Sequence, residues 1–435
     1  MNTNLSRSAP ARSKPRARSV PRLRRTAAIA VLGLTVLAGC SSAKHPGAGP
    51  GSTESGSTQS TAAQPTGAPV VVGLLNQQLG AVAFPDFSAG ATAAQAYINQ
   101  DLRGINGRPL KFVQCFTDGT PEKSIDCANK FVDAHVVAVL QGLDYGSDAT
   151  LPILSAAGIP LVGHTAFGAN QLTSTDAFFF GAGLTAYGAT PMWVMSHQLH
   201  VKSVVYLGQD NAVVRAFATF GVLPAAKKAG LSGNAVFYSA TNPDYTLIAA
   251  QALAKHPDAV FFTSSEPDCT GLVAALVGGG FKGPIFAGSC TQFIKADPAA
   301  ANGVYTANDL WAPSTGSTAP ARAAAQLKTF VQQMTVHAPT YVSSGFAQFT
   351  FSSTMDLSSI LGRISGAISP RTVIAQIKAT KGLDSFMGQP LTCDGTAWPG
   401  QPSACAAGVI EFKVQHGSLT AFSPGYVDAK SLLAG

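Results

Sequence analysis

The loop Asp144-Tyr145-Gly146-Ser147-Asp148 brings two carboxylates and a hydroxyl close together. Paired acids can protonate a leaving group and activate its attacker, as in glycoside hydrolysis. At i, i+4 spacing the plainer reading is a solvated helical face. His197 and His200 stand at i, i+3, a spacing that can share a metal; on an amphipathic helix they read first as surface imidazoles. The chain has no G-x-S-x-G elbow, no H-E-x-x-H pair and no G-x-x-x-x-G-K-[ST] loop. Gly278-Gly279-Gly280 has the place of a helix C-cap, not of a phosphate cradle. Catalysis has thin support, and these residues call for neither a metal nor a cofactor.

Cysteine offers a different chemistry. Setting Cys40 aside, the chain holds Cys115, Cys127, Cys269, Cys290, Cys393 and Cys405. An even count without any C-x-x-C pair suits disulfides in an exported protein better than zinc or thioredoxin-type chemistry. Many connectivities are open to six cysteines. Sequential pairing, Cys115–Cys127, Cys269–Cys290 and Cys393–Cys405, closes the shortest loops and is the expectation; free buried thiols are the alternative.

Export is also written at the N-terminus. Residues 1–25 hold eight Lys and Arg and no acid. An apolar run, Ala27 to Ala38, comes next; as a helix it spans about 18 Å, short of the roughly 30 Å of a bilayer core. A cleaved signal over residues 1–39 fits better. The run ends Leu37-Ala38-Gly39-Cys40, which resembles a bacterial lipobox with Cys40 as the lipidated new N-terminus. Arg24-Arg25 hints at twin-arginine export, which the residues after it fit poorly. Residues 40–69 are almost entirely Gly, Ala, Ser, Thr and Pro and form a tether too poor in apolar side chains to fold. The formal charge of +7 belongs to the leader: beyond residue 39 stand 21 basic and 22 acidic residues. No basic stripe remains to neutralise phosphates, so nucleic acid is not a partner.

Beyond the tether the chain alternates strand and helix. Strand-like apolar runs occupy Val70–Leu75, Leu110–Phe116, Val136–Leu140 and Ile159–Val162. Helices are expected over Gly90–Gln100, Pro121–Ala134 and Ala149–Ala157. The pattern restarts with a helix over Pro191–Leu199. Strands are then expected at Ser203–Leu207, Ala235–Tyr238, Ala259–Thr263 and Pro284–Ala287, separated by helices at Val213–Ala229, Tyr245–Lys255 and Cys269–Val277. Two serial runs of βα units predict an α/β protein with two doubly wound parallel sheets. Their strand ends face a cleft suited to a small molecule.

The stretch Leu74-Leu75-Asn76, Ala89-Gly90-Ala91, Ala96-Tyr97-Ile98-Asn99 and Gly104-Ile105-Asn106-Gly107-Arg108 is similar to the opening of branched-chain amino-acid-binding proteins. These are solute-binding lipoproteins and periplasmic proteins of ABC importers. Val137–Gly142, Ala157–Val162, Gln171-Leu172-Thr173, His256–Val260 and Gly280–Pro284 extend the resemblance over about residues 70–415. It implies a type I periplasmic-binding-protein fold: two Rossmann-like lobes, three hinge crossings and closure over a ligand. The crossings would lie near Gly183, Asp309 and Lys381. One lobe would hold residues 70–183 plus 310–380 and the other 184–309 plus 381–435, with Val409–Val414 completing the latter.

The resemblance also implies where a ligand would sit. Loops 143–147 and 164–168 would offer Ser147 and Thr165 to a carboxylate, with helix capping as their other role. Asp268 would meet an ammonium group, unless it caps the helix from Cys269. Phe84 and Trp311 would shape the apolar side, or pack in the core and on the hinge. Two departures stand out. Gln209-Asp210-Asn211 replaces the family's Tyr-Gly, and the first loop carries Asp144 and Asp148, wrong in sign for a carboxylate site. Either those acids point away or the ligand is not an ordinary amino acid. The implied function is a lipid-anchored receptor on the outer face of the cytoplasmic membrane that delivers a small polar ligand to ABC permease subunits. A ligand sensor of the same fold and an envelope enzyme are the other readings.

Overall fold

A computed structural model of the chain describes residues 64–80, 82–423, 425–428 and 430. Cys40, the leader and most of the tether lie outside them. Strands β1 (Val70–Gln77), β2 (Leu110–Thr117), β3 (Val139–Gln141), β4 (Leu161–Gly163) and β5 (Ala177–Ala182) come first. Next are β6 (Ser203–Gln209), β7 (Ser232–Tyr238), β8 (Ala259–Thr263), β9 (Ile285–Phe286) and β10 (Tyr305–Asn308). The C-terminal part adds β11 (Lys381–Asp384), β12 (Pro390–Thr392), β13 (Ala404–Ala406), β14 (Gly408–Gln415), β15 (Ser418–Ala421) and β16 (Val427–Asp428).

Two sheets result. The first has the order β13-β5-β4-β3-β1-β2 and is parallel throughout. The second runs β15-β14-β10-β9-β8-β6-β7, parallel from β7 to β10, with β14 and β15 antiparallel at its far edge. Every residue of β5 is buried, as a strand covered on both faces requires. Separate apolar clusters fill the two faces of the first sheet. A third fills the second lobe and continues to Phe84, Phe87 and Leu143 of the first.

Local chemistry starts the helices. Thr120 caps Pro121–Asp133, which has Pro in its first turn. Ser344 caps Gly345–Gly362 and donates to Asp86 of the facing helix Pro85–Gln100 (2.6 Å). Those two helices cross closely: a Cβ on Gly90 would run into the Ala347 carbonyl. The expected helix over Val213–Ala229 is broken by a wider π turn at Phe217–Val222. The helix expected from Pro191 runs Leu184–His197 instead and holds that proline in its interior.

The chain passes between the sheets after β5, after β10 and between β13 and β14. The third passage is at Ala407, not near Lys381. Residues 381–406 stay with the first lobe: β11 and β12 form a hairpin, and β13 adds to β5. The Cys393–Cys405 disulfide ties this segment together, and both its cysteines pack in the first lobe's core beside Phe178 and Phe180. The other bridges are Cys115–Cys127 and Cys269–Cys290, so all three pairs are sequential.

Candidate functional site

In each lobe the chain reverses its direction of strand addition once: β1 lies between β2 and β3, and β6 between β7 and β8. Loops diverge at such points and leave a crevice beyond the strand ends. The two crevices meet in a cavity of about 120 Å3. Phe84, Leu143 and Tyr145 enter from the ends of β1 and β3; Gln209, Thr263, Ser264 and Ser265 enter from the ends of β6 and β8.

The last two residues of β1 set the first wall. Asn76 Nδ2 donates to the Phe84 carbonyl (2.8 Å) while Leu143 N donates to its Oδ1 (3.1 Å). Gln77 Nε2 donates to the Val82 carbonyl (2.8 Å) and its Oε1 accepts from Tyr145 N (3.2 Å). The wall is largely aromatic. Phe87 stacks on Phe346 (5.0 Å, 14°), and Phe84 meets Phe87, Tyr145 and Phe346 edge-on. Phe349 stacks on His164, and the π turn delivers Phe217 from the second lobe. Thr165 also lines the cavity; its Oγ1 is buried with no hydrogen-bond partner among the described residues.

The second wall is polar and organised by Asp268. Its carboxylate accepts from Gln209 Nε2 (2.7 Å), Ser264 Oγ (2.6 Å) and Tyr245 OH (2.7 Å), and Tyr238 OH lies 3.2 Å from it and 2.7 Å from Ser264 Oγ. Burial and this carboxylate push the Tyr145 phenol up to about 12. Glu266 opens the same helix and accepts from the backbone of Thr291 and Gln292; burial raises it to about 7.

The passages beside the cavity are tied by Asp309. Its Oδ1 lies 2.7 Å from His164 Nε2 and accepts from Tyr187 OH (2.7 Å), and its Oδ2 accepts from Ala182 N (2.5 Å). One buried carboxylate thus joins the end of β5, the segment after β10 and the loop after β4.

Residues 69–407 match the family model described as "Periplasmic binding protein". The chain belongs to the periplasmic binding protein family. Solved structures agree on the fold. A leucine binding protein LivK from Thermotoga maritima superposes with TM-score 0.65 at 17% identity, over 81% of this chain and 97% of that one. LivJ from Streptococcus pneumoniae, in complex with isoleucine, gives 0.67 at 17% identity over 82% and 99%. A fatty acid ABC transporter substrate-binding protein from Thermomonospora curvata gives 0.70 at 14% identity over 85% and 95%. A comparison with curated proteins finds no match.

Of the residues expected at the site of this periplasmic binding protein, Phe84 and Thr165 line the cavity. Asp268 stands behind Gln209 and Ser264; the N-cap position of its helix is Ser265, whose side chain makes no capping bond, and not Asp268. Ser147 is turned into the first lobe, where its hydroxyl donates to the Asp144 carbonyl (2.5 Å) and accepts from Gln171 Nε2 (2.8 Å). Trp311 packs edge-on against Phe412 at the hinge, and its backbone N–H donates to the Met387 carbonyl. Neither Ser147 nor Trp311 lines the cavity. The two loop acids point away from it. Asp144 accepts from Thr117, Ser124 and Gly146, and Asp148 from the backbone of Asn170 and Gln171. Burial raises the Asp144 carboxyl despite those donors. Sequence reasoning missed Tyr145, Gln209, Ser264, Phe346 and Phe349. The first three stand at or just past strand ends, a signal that was present. The two phenylalanines lie on a helix far along the chain and carry no local mark.

Proposed function

We propose that this protein is the extracytoplasmic receptor of an ABC importer. It captures a small organic molecule between its lobes and presents it to permease subunits. The carrying observation is the cavity where both switch points meet, with an aromatic wall on one lobe, a hydrogen-bonding wall on the other and a hinge beside it. Among similar folds are a leucine binding protein, a branched-chain amino acid transporter substrate binding protein in complex with isoleucine and a fatty acid ABC transporter substrate-binding protein, which agrees with a ligand that has an apolar body. The leader and Cys40 support a lipid anchor on the outer face of the membrane, with residues 41–69 as the tether. Among the described residues no helix is long and apolar enough to cross a membrane.

A thermal-shift screen over hydrophobic amino acids, amides, ureas and small aromatic compounds tests the receptor role. A ligand at 100 times its Kd should stabilise the fold by about 2.7 kcal/mol. Small-angle scattering should show compaction with the same compound. A screen that raises no melting temperature removes the proposal. Release of a Cys40→Ala variant from the membrane fraction tests the anchor separately.

A further inference from the structure

We propose that the cavity selects ligands by a hydrogen-bond-donating head, an amine, an amide N–H or a hydroxyl carried on a ring-sized apolar body, and discriminates against a bare carboxylate. This rests on the reading of the cavity as the ligand site. The reason lies in where the protons of the polar wall go. An ionised carboxylate only accepts hydrogen bonds. Asp268 takes three protons from its surroundings, from Tyr245 and from two groups that line the cavity, Gln209 and Ser264.

Each of those two groups is left facing the ligand as an acceptor. The Gln209 amide is fixed by its partner: only Nε2 can face a carboxylate, at 2.7 Å. Its Oε1 is therefore the free end, and it makes no hydrogen bond among the described residues. Ser264 has one proton, and that proton goes to Asp268 at 2.6 Å. Its other contact, Tyr238 OH at 2.7 Å, is then one in which Ser264 accepts. A lone pair remains on this oxygen, and no proton.

The rest of the cavity adds no attraction for an anion. Among the described residues no Lys or Arg lines it. The helix Glu266–Gly278 begins at the cavity and would draw negative charge there, but its first turn already carries Glu266 and Asp268. On the opposite wall burial, and after it the Asp268 charge, raise the Tyr145 phenol. Thr165 Oγ1, buried and unpartnered, can give or receive one further bond from the first lobe. A head group with protons satisfies Gln209 and Ser264; a carboxylate leaves both unpaired and sits near a fixed negative charge.

The test is calorimetry on the native protein at neutral pH with 2-phenylethylamine, 2-phenylethanol, 3-phenylpropanoate and L-leucine. The amine and the alcohol should each bind at least tenfold more tightly than the carboxylate. A carboxylate that binds as tightly as either overturns the inference and leaves the receptor reading intact. So does binding by leucine alone. Silence from all four overturns both. Asp268→Asn supplies the second measurement. Its amide can donate, so Gln209 is free to reverse, and the preference for donor over carboxylate should shrink about tenfold. A folded D268N protein with an unchanged preference also overturns the inference; the native series decides if the variant does not fold.

Discussion

Removing the carboxylate of Asp309 tests whether the hinge is held by hydrogen bonds or only by packing. In Asp309→Ala, three donors lose their acceptor: the His164 ring at 2.7 Å, the Tyr187 hydroxyl at 2.7 Å and the Ala182 amide at 2.5 Å. The residue is 2% exposed, so bulk water cannot replace it without the structure opening. A buried donor left unpaired costs about 1–3 kcal/mol, and breaking a buried charged network about 3–5 kcal/mol. Because the three groups share one site, their losses overlap, and a total of about 4 kcal/mol is expected. That is a large part of the roughly 5–15 kcal/mol that holds a typical protein folded. Urea unfolding, with the slope compared between variants, measures it. Asp309→Asn keeps an acceptor and should lose clearly less. Small-angle scattering should show a looser pair of lobes in Asp309→Ala, since the Asp309 side chain joins two of the three passages. A loss below about 1 kcal/mol, with unchanged scattering, would refute the reasoning and assign the hinge to packing.

Two further perturbations separate electrostatics from packing. Burial pushes the Asp356 carboxyl up from 3.8 to about 7, outweighing its bonds to Ser385, Phe386 and Ser352. The folded state therefore holds that proton more tightly than the unfolded chain, and the stabilisation is full below about 3.8 and lost as pH rises through about 7. Asp356→Asn should flatten the fall in stability between pH 5 and pH 8 by up to about 3 kcal/mol, and an unaltered pH profile in denaturant titrations would count against the assignment. Gly90→Ala should destabilise by about 1–3 kcal/mol because its Cβ meets the Ala347 carbonyl; helix propensity alone predicts a gain of about 1 kcal/mol, so the sign of the change decides.

The architecture was legible because burial on two faces forces long apolar strands, and those are visible one at a time. Ala259–Thr263 was expected and observed with the same bounds. The third passage between the lobes was not legible to the same degree. Residues 381–406 are held to the first lobe by a hairpin, a disulfide and pairing with β5, all contacts distant in sequence. Pro191 misled for a related reason. Proline usually marks a helix start, but here the buried turns on both sides, Ala186 to Met195, hold the helix together through it.

The site itself was legible as a place but not as a set of side chains. The strand–helix alternation and the carboxyl-end rule locate a cleft without any coordinate, and Phe84 and Thr165 were named at it from the family resemblance. Which side chain of a loop turns inward depends on partners elsewhere. Ser147 is the obvious hydroxyl of its loop, yet Gln171 and the Asp144 carbonyl hold it inside the lobe, and Tyr145 beside it faces the cavity. Asp268 is the obvious acid, yet Gln209, Ser264 and Tyr245 of its own lobe already donate to it. Gln209 stood in the sequence as a departure from the resembled pattern. Only its contact with Asp268 turns that departure into an oriented acceptor at the cavity. An acid that saturates its neighbours acts on a ligand through the protons it withholds, so the chemistry of this wall is set by a residue that does not line it.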